Sequence, residues 1–417
     1  MTFRQLRPTA LLLLALFVAC SSEKEAETSG IGSGADAADG QGAADGSGAP
    51  GDVEDDTAEA DTGTGEDTVE AADTSVEDGS GSGDTAVEDT TPATVPGPNQ
   101  AVRAMQGVEV YFTGSENRRQ VEQPVTFPPA NETFSSINLH FALSCPAGSC
   151  DPWDRVGSYG LVLANGSESP TYLELSRFIT PYGVGAEWDV DVTDLRPLLT
   201  GEQTSRVFID TWVGPGSGFG NGWSVTATFE FVGGTPAREV LAAIPVWQGA
   251  NENRRLVYGD PARSIPSQLP DATVALPDGT TSAALRTFIT GHGQGNADNC
   301  AEFCPRDHTF TVNAVPFTEN IWRDDCRTTA APNQQGSWQY ARAGWCPGAK
   351  TYDWTIDLGA VSETTLTVGY DVQAFENTCR PEANPCAGCT LGTGCAYNDS
   401  SHTEPNYQVS AVVIAYK

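Results

Sequence analysis

Histidine is scarce in this chain. The four present, His140, His292, His308 and His402, share no metal-ligating spacing. That argues against a copper centre or any other multi-histidine metal enzyme. No metal and no organic cofactor is expected. Basic side chains are also few: 22 Lys and Arg stand against 55 Asp and Glu, for a net charge of −33. A nucleic-acid partner, which needs a basic face toward phosphates, is therefore not expected. No glycine-rich phosphate loop of the P-loop type occurs, so nucleotide chemistry has no support. The apolar run from Ala10 to Val18 has nine residues, too few to cross a bilayer.

What is present is unevenly distributed. Between Ser21 and Pro98 there are 21 acidic residues and one base, Lys24, so this segment carries −20. Residues 99–417 carry only −15. The 21–98 segment has no aromatic residue and cannot bury a core, so it reads as a disordered, extended acidic tether. It lacks the ligand spacing of an EF-hand, which favours a spacer over a calcium site. Before it, Arg4 and Arg7, the apolar run and small residues compose an export signal over residues 1–19. Phe17-Val18-Ala19-Cys20 resembles a bacterial lipobox, with Phe where Leu is usual and Cys20 as the lipidated residue. The chain is thus expected to be an exported lipoprotein held at an outer membrane or cell surface through Cys20.

The remaining ten cysteines, an even number in an exported chain, read as five disulfides. They fall into local groups: Cys145 with Cys150, Cys300 with Cys304, Cys326 with Cys346, and a cluster of Cys379, Cys386, Cys389 and Cys395. The cluster's spacing is not that of a standard zinc ribbon, and pairing within it stays open.

From residue 99 onward, apolar and polar residues alternate in short runs such as Ser224–Phe231, Thr309–Val312 and Thr364–Val368. Period two with β-branched and aromatic residues predicts strands. The one helix-like stretch, Val192 to Gly201, is short and interrupted by Pro197. A chain of 417 residues suggests two folded domains plus extra material. The expected fold is all-β: two adjacent antiparallel β-sandwiches of jelly-roll type, over residues 99–236 and 237–417, divided at Gly233-Gly234-Thr235-Pro236.

Chemistry concentrates in short conjunctions of Cys, Trp, Arg and a carboxylate. These are Cys145 to Arg155 (CPAGSCDPWDR), Asp210-Thr211-Trp212, Cys300 to Cys304 (CAEFC), and Arg342 to Gly348 (RAGWCPG). Carboxylates beside tryptophans suit a sugar site, where acids bond hydroxyls or activate water and aromatic faces pack on pyranose rings. Each motif alone also fits a structural ion pair with core tryptophans.

Taken in order, together with Arg177 to Tyr182 (RFITPY) and Asp189 to Gly201 (DVDVTDLRPLLTG), these blocks resemble the peptide N-glycosidase F family. The resemblance runs from about residue 105 onward and implies two side-by-side jelly rolls with the active site between them. It implies catalytic roles for Asp154, Glu302 and Asp210, the last a Glu in the family. It implies substrate contacts from Arg155, Arg342, Trp153, Trp212 and Trp345. The chain departs from the pattern at His292 and Gln294, where the family has Trp and His, and at Phe303 and Gly183, where it has Trp. Residues 376–405 are an insertion without counterpart. His292 joins the expected substrate-binding set.

The implied activity is hydrolysis of the asparagine–N-acetylglucosamine amide of an N-linked glycopeptide or glycoprotein, by a monomer. A glycan-binding lipoprotein without turnover, or a glycosidase with two carboxylates about the bond, are the alternatives on the same scaffold. Conversion of Asn to Asp separates the first from both.

Overall fold

The computed structural model describes residues 93–163, 171–247, 255–380 and 403–417. The export signal, Cys20, nearly all of the acidic segment, His402, and Cys386, Cys389 and Cys395 lie outside the described residues.

Nine strands form the first half: β1 (Val95–Pro96), β2 (Gln100–Val110), β3 (Gln120–Phe127), β4 (Glu132–Ser144), β5 (Val156–Leu163), β6 (Thr171–Ile179), β7 (Ala186–Asp191), β8 (Gly201–Ile209) and β9 (Trp223–Gly233), counted among the described residues. One sheet runs β1-β4-β9-β2 with β7 beside β4, and the other runs β3-β8-β5-β6. Burial alternates along β9, as its sequence predicts. Rings from the two sheets interlock: Phe229 meets Phe127 edge-on at 4.9 Å, and Phe141 lies 5.4 Å from Tyr159. The helix-like stretch forms a short 3-10 segment, Thr193–Leu198, with Pro197 inside.

Residues 95–96, assigned by composition to the acidic segment, belong to the first sandwich. Val95–Pro96 already pair, in parallel, with Glu132–Thr133 of β4. A Cβ at Gly97 would meet the Phe134 ring at 2.5 Å. A two-residue contact of this kind leaves no periodic trace in a low-complexity run.

The second half contains β10 (Val240–Trp247), β11 (Leu256–Val257), β12 (Ala272–Ala275), β13 (Ser282–His292), β14 (Asp307–Val312), β15 (Val315–Asn320), β16 (Trp322–Arg323), β17 (Arg342–Ala343), β18 (Trp354–Ala360), β19 (Thr365–Val372) and β20 (Asn406–Tyr416). A sheet β10-β20-β13-β18, joined by β11, faces a sheet β12-β19-β14-β15. Phe310 of β14 packs on Trp354 of β18 at 5.4 Å. The molecule is all-β with two sandwiches.

β20 is buried along its whole length because both its faces are covered. One face packs in its own sandwich. The other meets the first sandwich, whose core takes in Ala284, Val412, Ile414 and Tyr416. Buried in this junction is Arg177 of β6, 0% exposed. Its guanidinium pairs with Glu174 through two bonds, Nε to Oε1 at 2.9 Å and Nη2 to Oε2 at 2.6 Å. It also donates to the Gln408 carbonyl at 2.6 Å and the Phe288 carbonyl at 3.3 Å. Ser410 Oγ donates to Glu174 Oε2 at 2.6 Å. The β6 edge is prolonged across the junction by Gly348 N to Ile179 O at 2.8 Å and Thr351 N to Arg177 O at 3.1 Å.

Removing one partner of such a pair leaves a bare charge in a dry junction. Arg177→Met is therefore expected to cost about 3–5 kcal/mol in denaturant unfolding, and Arg177→Met with Glu174→Leu to recover much of that loss.

Candidate active site

Between the sandwiches lies a cleft of about 460 Å³. Trp153, Asp154, Arg155 and Asp210 reach it from the first sandwich; His292, Glu302, Phe303 and Trp345 reach it from the second.

The first group is built on the loop after Cys150, closed by the Cys145–Cys150 disulfide. Its anchor is Asp151, 0% exposed. One carboxylate oxygen accepts from Trp153 N at 3.0 Å. The other accepts from Thr211 Oγ1 at 2.6 Å and Arg155 Nε at 3.3 Å. Thr180 Oγ1 then accepts from Arg155 N at 2.8 Å and donates to the Trp153 carbonyl at 3.0 Å. Asp154 is thereby turned outward, where Tyr182 Oη donates to its Oδ2 at 2.7 Å. Burial, and after it the Asp154 carboxylate, push the Tyr182 phenol far above its ordinary range, so it remains a donor.

Asp210 follows β8 and sits between two cations. Arg119 Nη1 donates to its Oδ1 at 3.1 Å, and Arg255 Nη2 lies 3.5 Å from its Oδ2. Trp212 is 43% exposed, outside the cleft lining, with Arg119 stacked 4.4 Å over its ring. It thus buttresses the Arg119–Asp210 pair. Trp153 does line the cleft, and Phe219 packs 5.3 Å from it.

Glu302 is presented by the loop that Cys300–Cys304 closes. Its backbone is fixed on both sides: Glu302 N donates to Gly293 O at 3.2 Å, and its carbonyl accepts from Ala343 N at 2.9 Å. Arg342 Nε donates to Glu302 Oε1 at 3.1 Å. Arg342 is itself 0% exposed and absent from the cleft lining. Its other nitrogens serve the carbonyls of Ser337 and Tyr340 at 3.0 Å and Ser337 Oγ at 2.8 Å. The expected substrate arginine therefore stands behind an acid and aims it. Trp345, 2% exposed, donates to Gly291 O at 2.8 Å and stacks with His292 at 5.8 Å. Burial, then Arg255 and Arg177, lower His292 to about 3, so it is neutral near pH 7. Two glycines shape this motif: Gly344 (φ +86°) has room for no Cβ against Ile289 O at 2.3 Å, and Gly348 (φ +72°) is wedged against Ala331 and Pro181. Cys326–Cys346 ties the motif's far end. Cys379 is also disulfide-bonded.

The residues that sequence reasoning passed over are mostly supports: Asp151, Tyr182, Arg119, Arg255 and Ser337. Asp151, a carboxylate directly after a disulfide cysteine, and Tyr182, the last residue of RFITPY, lie in motifs already singled out; the other three left no signal. Among the described residues, the one group with metal-ligand types in reach is Asp325 with Cys326 and Cys346. Those two cysteines are consumed by their disulfide.

Two family profiles match the chain: "Peptide-N-glycosidase F, N terminal" over residues 159–217 and "Peptide-N-glycosidase F, C terminal" over residues 263–389. The peptide-N(4)-(N-acetyl-beta-D-glucosaminyl)asparagine amidase F of Elizabethkingia miricola is 31% identical over 273 residues, 62% of this chain and 73% of that protein. A crystal structure of a peptide-N(4)-(N-acetyl-beta-D-glucosaminyl)asparagine amidase superposes with a TM-score of 0.62 at 27% identity, covering 76% of this chain and 96% of that one. PNGase F from Flavobacterium meningosepticum gives 0.62 at 26% identity, over 77% and 96%. PNGF-II shares the fold, with a TM-score of 0.57 at 17% identity, over 76% and 65%.

Asp151→Ala strips three donors of their acceptor. We expect a loss of about 3 kcal/mol in unfolding free energy, with Thr211→Val costing less because only one of those bonds is removed.

Proposed function

This chain belongs to the peptide N-glycosidase F family, and we propose that it hydrolyses the amide between asparagine and N-acetylglucosamine in N-glycopeptides and N-glycoproteins. One observation carries the reading: Asp154, Asp210 and Glu302, drawn from both sandwiches, converge on a single cleft. Water attacks the side-chain carbonyl while Asp154 takes its proton, with the Tyr182 hydroxyl holding the carboxylate in place. Arg155, its Nε bonded to Asp151, lines the cleft and steadies the oxyanion. Glu302, aimed by Arg342, holds the first sugar, and the proton that Asp154 took from water passes to the departing nitrogen. Asp210, held between Arg119 and Arg255, bonds sugar hydroxyls. The Trp153 ring offers a face to the pyranose. The C–N bond breaks, the peptide keeps an aspartate, and the nitrogen leaves on the sugar as a glycosylamine that water later converts to free glycan. These steps use side chains and water only.

We further infer that the chain works as an exported monomeric lipoprotein, anchored through Cys20 with the acidic segment as spacer. The order of basic, apolar and small residues before Cys20 supports this, as do the disulfides, which form in oxidising compartments.

Mass spectrometry of an N-glycopeptide treated with the protein should show free glycan and aspartate in place of asparagine. Cleavage between sugars, or no cleavage, rejects the amidase. Asp154→Asn should fold with an unchanged melting temperature and lose about 100-fold or more in turnover. A fully active Asp154→Asn enzyme removes the assigned base. Labelled palmitate should enter the full chain in a bacterial host and be lost in Cys20→Ser; label retained in that variant rejects the anchor.

A further inference from the structure

The cleft floor holds hydrogen-bonding capacity that the fold leaves unused. In the β13–β20 pair, Thr290 stands opposite Gln408 and His292 opposite Asn406. Opposed antiparallel residues share a face, and so do residues two apart on a strand. These four side chains therefore form one polar patch. Ile289, Tyr407 and Val409 point the other way, into the second core. The inner end of the patch is closed by Arg177, which donates to Thr290 Oγ1 at 3.4 Å. The outer end, His292, Asn406 and Gln408, lines the cleft.

Asn406 is 5% exposed and Gln408 3%, yet Asn406 Oδ1 and Gln408 Oε1 have no hydrogen-bond partner. The opposite end of the Asn406 amide is occupied, since Nδ2 donates to the Glu404 carbonyl at 2.9 Å. Buried acceptors without donors are rare, and two in register at one cleft floor call for an explanation. On their own face, His292 Nε2 is already engaged with Thr290 Oγ1 at 2.9 Å. A floor with two open acceptors, below walls that carry Asp154, Asp210 and Glu302, suits a ligand with O–H and N–H groups. Because these two acceptors carry no charge, they select by donor position rather than by attraction.

We propose that Asn406 and Gln408 are specificity-determining residues whose carboxamide oxygens accept hydrogen bonds from the hydroxyl and acetamido N–H groups of the sugar joined to asparagine. This rests on the amidase reading given above. The terminal torsion of a carboxamide is soft, so a donor arriving at the floor can turn the Gln408 oxygen toward it, while the Asn406 oxygen is already set by the bond from Nδ2 to the Glu404 carbonyl. A sugar without the matching donor leaves the acceptors unpaired in a closed site and is discriminated against.

Asn406→Leu and Gln408→Met remove the oxygens and retain most of the volume. In the full chain, each should raise KM for an N-glycopeptide about 10-fold or more while lowering kcat less. The calorimetric Kd for the β1,4-linked dimer of N-acetylglucosamine should rise in parallel. The melting temperature should hold or increase, because an unpaired buried acceptor is gone; a merely structural amide would lower it. Unchanged KM and Kd overturn the assignment, as does a loss of binding that follows a loss of stability. Should either variant fail to fold, a crystal of the unaltered protein soaked with the dimer decides. Both oxygens within hydrogen-bond distance of the sugar support the assignment, and a bound sugar that engages neither overturns it. The calorimetric and crystal results do not need turnover, so absence of hydrolysis by the unaltered protein counts against the amidase alone.

Discussion

A fully buried guanidinium, Arg177, ties the two sandwiches together at the inner end of the cleft floor. Its partners come from β6 on one side and from β13 and β20 on the other. A charge taken wholly out of water is tolerated only if nearly every donor finds an acceptor, so the positions of Glu174, Phe288 O, Thr290, Gln408 O and Ser410 are set together. The backbone bonds from Gly348 and Thr351 to the β6 edge follow from that placement. So does the position of Tyr182, three residues beyond the end of β6, and with it the orientation of Asp154. The site is assembled outward from the junction.

Each carboxylate and arginine assigned to chemistry is held by another side chain. Asp151 fixes Arg155 and the backbone of Trp153; Tyr182 holds Asp154; Arg342 aims Glu302; Arg119 and Arg255 flank Asp210. The holders bond protein groups, and Trp153, Asp154, Arg155, Asp210 and Glu302 line the cleft. This division of labour is what preorganisation requires: groups that need not rearrange when charge develops on the substrate.

Much of this was legible in the sequence, for physical reasons. Strands announce themselves by period two, and Ser224–Phe231 behaves as its alternation predicts. Disulfides separated by four, five and twenty residues are local enough to pair on inspection. What stayed hidden is non-local. Nothing in the neighbourhood of Arg119 shows that it meets Asp210, 91 residues away. Arg342 and Trp212 sit in motifs beside the site and were expected to touch substrate, yet one is enclosed and the other lies outside the lining. A motif gives proximity along the chain, whereas facing is decided by packing. The stripe of Asn406, Gln408 and Ser410 did leave a trace, polar residues at every second position opening a strand that turns apolar. It became meaningful only once the strand proved covered on both faces.

The dryness of the Arg177 junction bears on which glycoproteins this molecule can process. Swinging the sandwiches apart would strip the Arg177 guanidinium of its acceptors on Phe288 and Gln408 and break the Ser410–Glu174 bond, so the slot keeps its width. A slot that does not gape cannot wrap around a glycan rooted in a flat or recessed surface; the adjustment falls to the substrate. Asparagines on protruding loops, frayed termini or unfolded chains can bring the linkage to the slot, and those embedded in rigid sheets cannot. The order in which glycans leave a many-sited glycoprotein then becomes a map of its local mobility.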